Sequence, residues 1–234
     1  MNVNDLHIYQ KAGVSHIVEH THCGLFLDMG LGKTVTTLTA VKFLMFEDLD
    51  IETVLIVAPK RVAESVWSAE VDKWEHLKYL KISKIIGNEK QRKKALNEKA
   101  NIFIISRDNI AWLVGYYGGS MLPFDMLVID ESSSFKNPKA IRFKALKQAQ
   151  PSFKRVVILT GTPAPNGLID LWSQIFLLDR GKRLGKTITA YRDAYFKPDK
   201  RNGAIIYNYK LADNSEQEIH KQIEDICMSM KAKD

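Results

Sequence analysis

Cysteine is scarce in this chain. Its two cysteines, Cys23 and Cys227, cannot build a disulfide framework, so the small stapled folds are excluded and a reducing cytoplasm is the simplest home. No apolar run approaches the length of a membrane span, and Met1-Asn2-Val3-Asn4-Asp5 lacks the basic and apolar regions of a signal peptide. A membrane partner is therefore not expected. Internal repeats and low-complexity linkers are missing up to about residue 197. Acid is the minority charge: 27 Asp and Glu against 34 Lys and Arg leave a formal charge of +7 and a pI of about 9.2. That surplus favours polyanionic partners such as nucleic acid, although many soluble proteins carry it without one.

What is present is an ordinary globular composition. The 234 residues are 45% hydrophobic and 26% charged, enough for one sizeable core. Strand-like runs cover Cys23 to Leu27, Thr53 to Val57, Leu80 to Ile86, Asn101 to Ile105, Met126 to Ile129 and Val156 to Leu159, with helical patterns between most of them. This alternation predicts an α/β fold with a parallel sheet and crossover helices. Such sheets bind ligands beyond the carboxyl ends of their strands, which directs attention to the residues just after each run.

The first of those sites is the most informative. Leu25-Phe26-Leu27 ends an apolar run, Asp28-Met29-Gly30-Leu31-Gly32 forms a turn, and from Lys33 onward Val35, Leu38, Val41 and Leu44 recur at helical spacing. Strand, glycine turn and helix make the context of a phosphate-binding loop. Gly30 and Gly32 let backbone amides turn inward toward phosphate oxygens, and the helix start adds its positive dipole end. Lys33 would reach the β- and γ-phosphates, and the Thr34 hydroxyl would ligate Mg2+. Leu27 stands where a strict consensus has glycine. A second Gly185-Lys186-Thr187 follows the polar stretch Asp179 to Arg183 instead of a buried strand and is expected to be loop.

Met126-Leu127-Val128-Ile129 leads into Asp130-Glu131. Adjacent acids at the end of a buried strand are costly without a cation, and Mg2+ carried by ATP is the natural one. Asp130 would hold the metal, and Glu131 would orient and deprotonate the attacking water. After the run Val156 to Leu159, Thr160-Gly161-Thr162-Pro163 is either a coupling element that senses nucleotide or a tight turn. Pro59-Lys60-Arg61 and Ser106-Arg107 put basic residues at two other strand ends, where they suit either a nucleic-acid backbone or solvent. Lys90, Arg92, Lys93, Lys94 and Lys99 make a basic helix whose simpler explanation is a solvated face. His16-Ile17-Val18-Glu19-His20 fits one metalloprotease spacing, but no further ligand cluster follows, so a solvated helix face is favoured and no structural zinc is expected.

The ordered set resembles the N-terminal lobe of the Swi/Snf-like branch of superfamily-two DNA helicases and translocases, and its short loops are similar to those of phage-encoded members. Asp28 to Thr34 is similar to that branch's nucleotide loop, which extends the phosphate contacts to Met29, Gly30, Leu31 and Gly32. Gln10 falls where the branch has its adenine-recognising glutamine. Ala58-Pro59 with Trp67, Glu70 and Trp74 resembles motif Ia and its helix. Asp130-Glu131 resembles the DEAH-type motif, and Lys136-Asn137 sits where Lys-Asn is usual. Leu159 to Asn166 with Asp170-Leu171-Trp172 resembles motif III and its helix.

The resemblance implies a RecA-like P-loop NTPase fold, a mainly parallel sheet flanked by helices on both faces. It also implies ATP and Mg2+ as cofactors, DNA as partner, and a second RecA-like lobe in cis or trans. A bacterial or phage-infected cytoplasm would house it. Residues 1–196 would form the ATP-binding lobe, and 197–234 a strand or hairpin and a helix leading toward the second lobe; by residue pattern the strand is expected at Ala204 to Tyr209 and the helix from Glu216 to Cys227. Two departures stand out: Ser132-Ser133 replaces the usual Ala-His or Gly-His, and Ser106-Arg107 replaces Thr-Thr-Tyr. An ATP-switched binding module without motor activity is the competing expectation.

Overall fold

The computed structural model describes residues 1–119, 121–202 and 205–232, and side chains outside 200–207. Six strands appear within a residue or two of the apolar runs: β1 (His22–Leu27), β2 (Val54–Ala58), β3 (Ile82–Ile85), β4 (Ile102–Ser106), β5 (Met126–Asp130) and β6 (Arg155–Thr160). Later come β7 (Phe196–Asn202), β8 (Ile205–Leu211) and β9 (Cys227–Met230). The helices are α1 (Ile8–Glu19), α2 (Lys33–Phe46), α3 (Trp67–Lys73), α4 (Glu89–Leu96), α5 (Ile110–Tyr116), α6 (Ile141–Ala149), α7 (Leu171–Asp179), α8 (Ile188–Tyr195) and α9 (Ser215–Ile223).

The main sheet has seven strands in the order β3-β4-β2-β5-β6-β1-β9, and every neighbouring pair is parallel. Strand residues alternate between two cores, as the pleat requires. From β5, Met126 and Val128 join Ile17, Leu38 and Trp67 beneath α1, α2 and α3, while Leu127 and Ile129 join Leu113, Phe143 and Ile175 beneath α5, α6 and α7. Burial on both faces explains why the five interior strands read as continuous apolar runs, whereas the edge strand β3, Ile-Ser-Lys-Ile, is only partly buried.

Two expectations need correction. The helix expected from Glu216 to Cys227 ends at Ile223, and Cys227 opens β9, which pairs with β1 from Gly24↔Cys227 to Leu27↔Met230. Four residues, Cys-Met-Ser-Met, are too few to announce a strand by periodicity. His16 and His20 are not on a solvated face: their rings stand 4.5 Å apart, and His16 Nε2 lies 3.1 Å from the Ile226 carbonyl, tying α1 to the returning chain. Burial accordingly lowers the His16 pKa.

The strand expected at Ala204 to Tyr209 is present as β8 from Ile205; Ala204 lies outside the described residues. β7 and β8 form an antiparallel hairpin. Gly185-Lys186-Thr187 is a loop whose Thr187 hydroxyl caps α8 by accepting from the Ala190 amide. Among the described residues no helix is long and apolar enough to cross a membrane.

Gly24 decides how closely β9 approaches. A Cβ there would stand 3.0 Å from Cys227 Sγ and 3.2 Å from Phe26 Cε1. Gly24→Val should therefore cost about 1–3 kcal/mol in urea unfolding by overpacking. It should also speed amide exchange at Asp28, which donates to the Met230 carbonyl at 3.2 Å, relative to β5. Unchanged exchange at Asp28 would show that β9 does not depend on this glycine.

Candidate functional site

The loop between β1 and α2 has the backbone that its glycines predict. Gly30 and Gly32 have φ of +85° and +75°, the left-handed region that side-chain-bearing residues avoid. The first intrahelical bond runs from the Thr36 amide to the Gly32 carbonyl at 3.0 Å. The amides of Lys33, Thr34 and Val35 precede it, so the helix start presents them outward with the positive end of its dipole. Lys33 Nζ donates to the Leu27 carbonyl at 2.6 Å and to the Asp28 carbonyl at 3.2 Å, which holds the ammonium across the mouth of the loop. Met29 is 79% exposed at the rim.

Gln10 buttresses this loop from α1. Its Oε1 accepts from the His7 amide at 2.9 Å and its Nε2 donates to the Leu31 carbonyl at 3.3 Å. A Cβ on Gly32 would fall 2.2 Å from that Nε2, so the left-handed dihedral requires glycine and any side chain there would also displace the Gln10 carboxamide. The carboxamide expected to read adenine is thus also a structural brace.

Sheet order brings the acid pair to the same edge. β6 lies between β1 and β5, with Leu159 opposite both Leu25 and Asp130, so the loop and the acids flank a single strand. Asp130 is 7% exposed and takes hydrogen bonds from Trp67 Nε1 at 3.1 Å and the Glu131 amide at 3.0 Å. Burial pushes its pKa up to about 6; the Trp67 bond opposes this, and the neighbouring Glu131 charge adds to it. A buried carboxylate held by two neutral donors suits a divalent cation, and the hard oxygen set of Asp130 and Thr34 suits magnesium. Glu131 adopts φ +52°, a left-handed conformation that turns the chain sharply after the strand.

Thr160-Gly161-Thr162 closes the site from β6. Thr160 is fully buried and its Oγ1 accepts from the Thr162 amide at 3.1 Å. A Cβ on Gly161 would stand 3.3 Å from the Leu27 carbonyl and 3.4 Å from the Met29 amide, so this turn lies directly on the phosphate loop.

The basic strand ends also converge. Ala58 and Ser106 are in register on neighbouring β2 and β4, which puts Pro59-Lys60-Arg61 beside Ser106-Arg107 along the same carboxyl edge. Lys60 and Arg61 are exposed. Ser106 is buried, and its hydroxyl accepts from Asn109 Nδ2 at 3.1 Å, so that hydroxyl does not face solvent. In the basic helix α4, Lys93 pairs with Glu89 and Arg92 stacks over Trp112 at 4.2 Å. Trp67 lies in the core, and its contact with Asp130 had no signal in the sequence: a π-helical turn at Val62–Val66 precedes it, and the bond spans 63 residues.

The model of the SNF2-related domain family matches residues 9–232. The chain belongs to the SNF2-related domain family. This SNF2-related domain is 36% identical over 232 residues to putative protein p41 of Acyrthosiphon pisum secondary endosymbiont phage 1, covering 97% of this chain and 50% of that protein. It is 32% identical over 180 residues to an uncharacterized ATP-dependent helicase of Mycoplasma genitalium, covering 73% of this chain and 16% of that one. The SWI2/SNF2 ATPase core of Sulfolobus solfataricus, solved in complex with dsDNA, shares its α/β fold with a TM-score of 0.80 over 98% of this chain and 45% of that one, at 24% identity. The chain spans half or less of the length of these proteins.

The raised pKa of Asp130 has a consequence for stability. Its folded value of about 6 lies above the ordinary 3.8, so the folded state holds the proton more tightly and wild-type stability falls as pH rises between those values. Asp130→Asn removes the ionisable group. It should be more stable than wild type by about 1–3 kcal/mol in urea at pH 8, with the difference closing toward pH 4. A difference independent of pH would show that this carboxyl does not titrate as a buried acid.

Proposed function

We propose that this SNF2-related domain binds Mg-ATP and serves as the ATP-binding lobe of a DNA-dependent ATPase of the helicase or translocase type. The observation that carries it is the convergence, across β6, of the Gly30–Thr34 loop with Asp130 and Glu131 at one carboxyl edge of the sheet. In this reading the outward amides of α2 and the Lys33 ammonium hold the β- and γ-phosphates, exchanging the Leu27 and Asp28 carbonyls for phosphate oxygens. Thr34 and Asp130 would hold Mg2+, and Gln10 would face the base. Bound magnesium supplies neutralisation of the charge that builds on the phosphate oxygens. Glu131 would orient the attacking water and take its proton.

DNA would run along the exposed strand ends. Lys60 and Arg61 would be the backbone contacts, with Pro59 and Arg107 beside them, while the inward-turned Ser106 hydroxyl would take no part. The dsDNA bound to the archaeal ATPase core supports that partner class. The phage relative is consistent with a bacterial host. Thr160-Gly161-Thr162, resting on the phosphate loop, would report nucleotide state to the neighbouring segments. We further propose that a second RecA-like lobe, in cis or trans, completes the site, and that this chain alone binds ATP but hydrolyses it slowly. Arginine fingers supplied from a partner contribute about a thousandfold or more in other NTPases.

Two measurements test these proposals. Mg-ATP at a hundred times its dissociation constant should raise the unfolding free energy by about 2.7 kcal/mol, and Lys33→Ala should erase most of that gain. An equal gain in both would mean the loop is misassigned. ATP turnover, measured with and without duplex DNA on a chain carrying the second lobe, should fall by about 10²–10⁴ in Glu131→Gln while nucleotide binding survives. A wild type with no DNA-stimulated turnover, whose partner binding still switches with ATP, would instead favour the non-motor module.

A further inference from the structure

We propose that Gln174 is a positioning residue that locks the acid loop to the turn after β6, so that the two respond to nucleotide as one unit. The inference rests on the Mg-ATP reading and goes beyond it by naming the connecting device.

Gln174 is fully buried in α7, a helix whose Leu171, Trp172, Ile175 and Phe176 are buried apolar residues. A carboxamide in such a place is costly unless each polar atom is paired. Here each one is. Oε1 accepts from Ser132 Oγ at 2.7 Å, and Nε2 donates to the Pro163 carbonyl at 2.6 Å and to the Asp170 carbonyl at 3.0 Å. Ser132 is itself fully buried and follows Glu131 directly. Pro163 follows Thr160-Gly161-Thr162, the turn that lies on the phosphate loop. One side chain therefore touches the segment beyond the metal-binding acid and the segment that senses the loop.

The same helix face holds a second, parallel set of bonds. Asp170, Ser173 and Gln174 have the i, i+3, i+4 spacing that stacks residues on one face. Ser173 Oγ donates to the Lys136 carbonyl at 2.7 Å, Lys136 Nζ lies 3.4 Å from Asp170 Oδ2, and that carboxylate accepts from the Asn166 amide at 3.0 Å. Each of these bonds ties α7, or the 3-10 turn Leu168–Asp170 that leads into it, to one of the two loops. The sheet does not couple the loops beyond β5 and β6, because ladder bonds stop where the strands stop. Apolar packing against α7 tolerates sliding, whereas hydrogen bonds with defined directions do not. The carboxamide is thus placed to convert a shift of the acid loop into a shift of Pro163.

Hydrogen exchange of the whole chain with and without Mg-ATP tests this. In the wild type, Mg-ATP should slow exchange both at residues 28–34 and at residues 164–170. In Gln174→Leu the protection at 28–34 should remain and that at 164–170 should fall below the wild-type level, the Ser173–Lys136–Asp170 bonds carrying the remainder. The double variant Ser132→Ala with Gln174→Leu removes the hydroxyl that Gln174→Leu leaves unpaired, while the Pro163 and Asp170 carbonyls still lose their donor. It should recover part of the urea resistance lost in Gln174→Leu without recovering the protection at 164–170. Recovery of both would show that Gln174 acts through packing alone and would overturn the proposal. So would protection at 164–170 that stays at the wild-type level in Gln174→Leu, or that is missing from a wild type still protected at 28–34. Protection missing from both segments of the wild type would remove the Mg-ATP reading together with the relay.

Discussion

The site depends on one strand, β6, being held in parallel register between β1 and β5. Leu159 faces Leu25 on one side and Asp130 on the other, so the phosphate loop and the acid pair leave the sheet on the same edge, the loop beginning beyond Leu27, past the level of the acids. Adjacent strands lie about 4.8 Å apart, which leaves about 10 Å between the strands that carry the loop and the acids. Neither segment could be moved to the opposite edge without reversing a strand that is buried on both faces.

In the proposed Mg-ATP reading, function is bought with stability at a single buried carboxyl. Asp130 is almost inaccessible, and both of its hydrogen bonds come from neutral groups, so ionising it in the folded chain is unfavourable. That is the condition under which a divalent cation binds strongly, because the metal supplies the missing counter-charge. Trp67 matters in this light for more than its apolar area. Its indole N–H fixes one carboxylate oxygen and leaves the other to the Glu131 amide. Gln10 has a similar double character, closing the first turn of α1 with one end of its amide and bracing Leu31 with the other.

Much of this was legible in the residue order. The five interior strands announced themselves because burial on both faces leaves no polar alternation to confuse the pattern, and the edge strand β3 is the one with polar residues inside its run. The phosphate loop was legible because its parts are contiguous: two glycines, a lysine and a threonine act within one turn of chain. Asp130 and Glu131 stood out as charges ending an apolar run. β9 did not, since a four-residue edge strand has no periodicity to read, and its place is set by a glycine in β1 that leaves room for Cys227. The inward turn of the Ser106 hydroxyl was not legible, because a strand end shows its position but not the direction of its side chain.

The sequence by itself determined the kinds of elements, their order and the local geometry of the phosphate loop. Dihedral preference, capping and periodicity act over a few residues, and those interactions are all present in the linear chain. The tertiary structure alone decided which strand ends became neighbours. The bonds from Trp67 to Asp130 and from Ser132 to Gln174 span 63 and 42 residues, and both exist only because strand order and the seating of α3 and α7 bring those positions together. A strand's own residues state that it must be buried but not beside which partner, since any neighbour of matching pattern satisfies its ladder. Packing of the whole chain makes that choice.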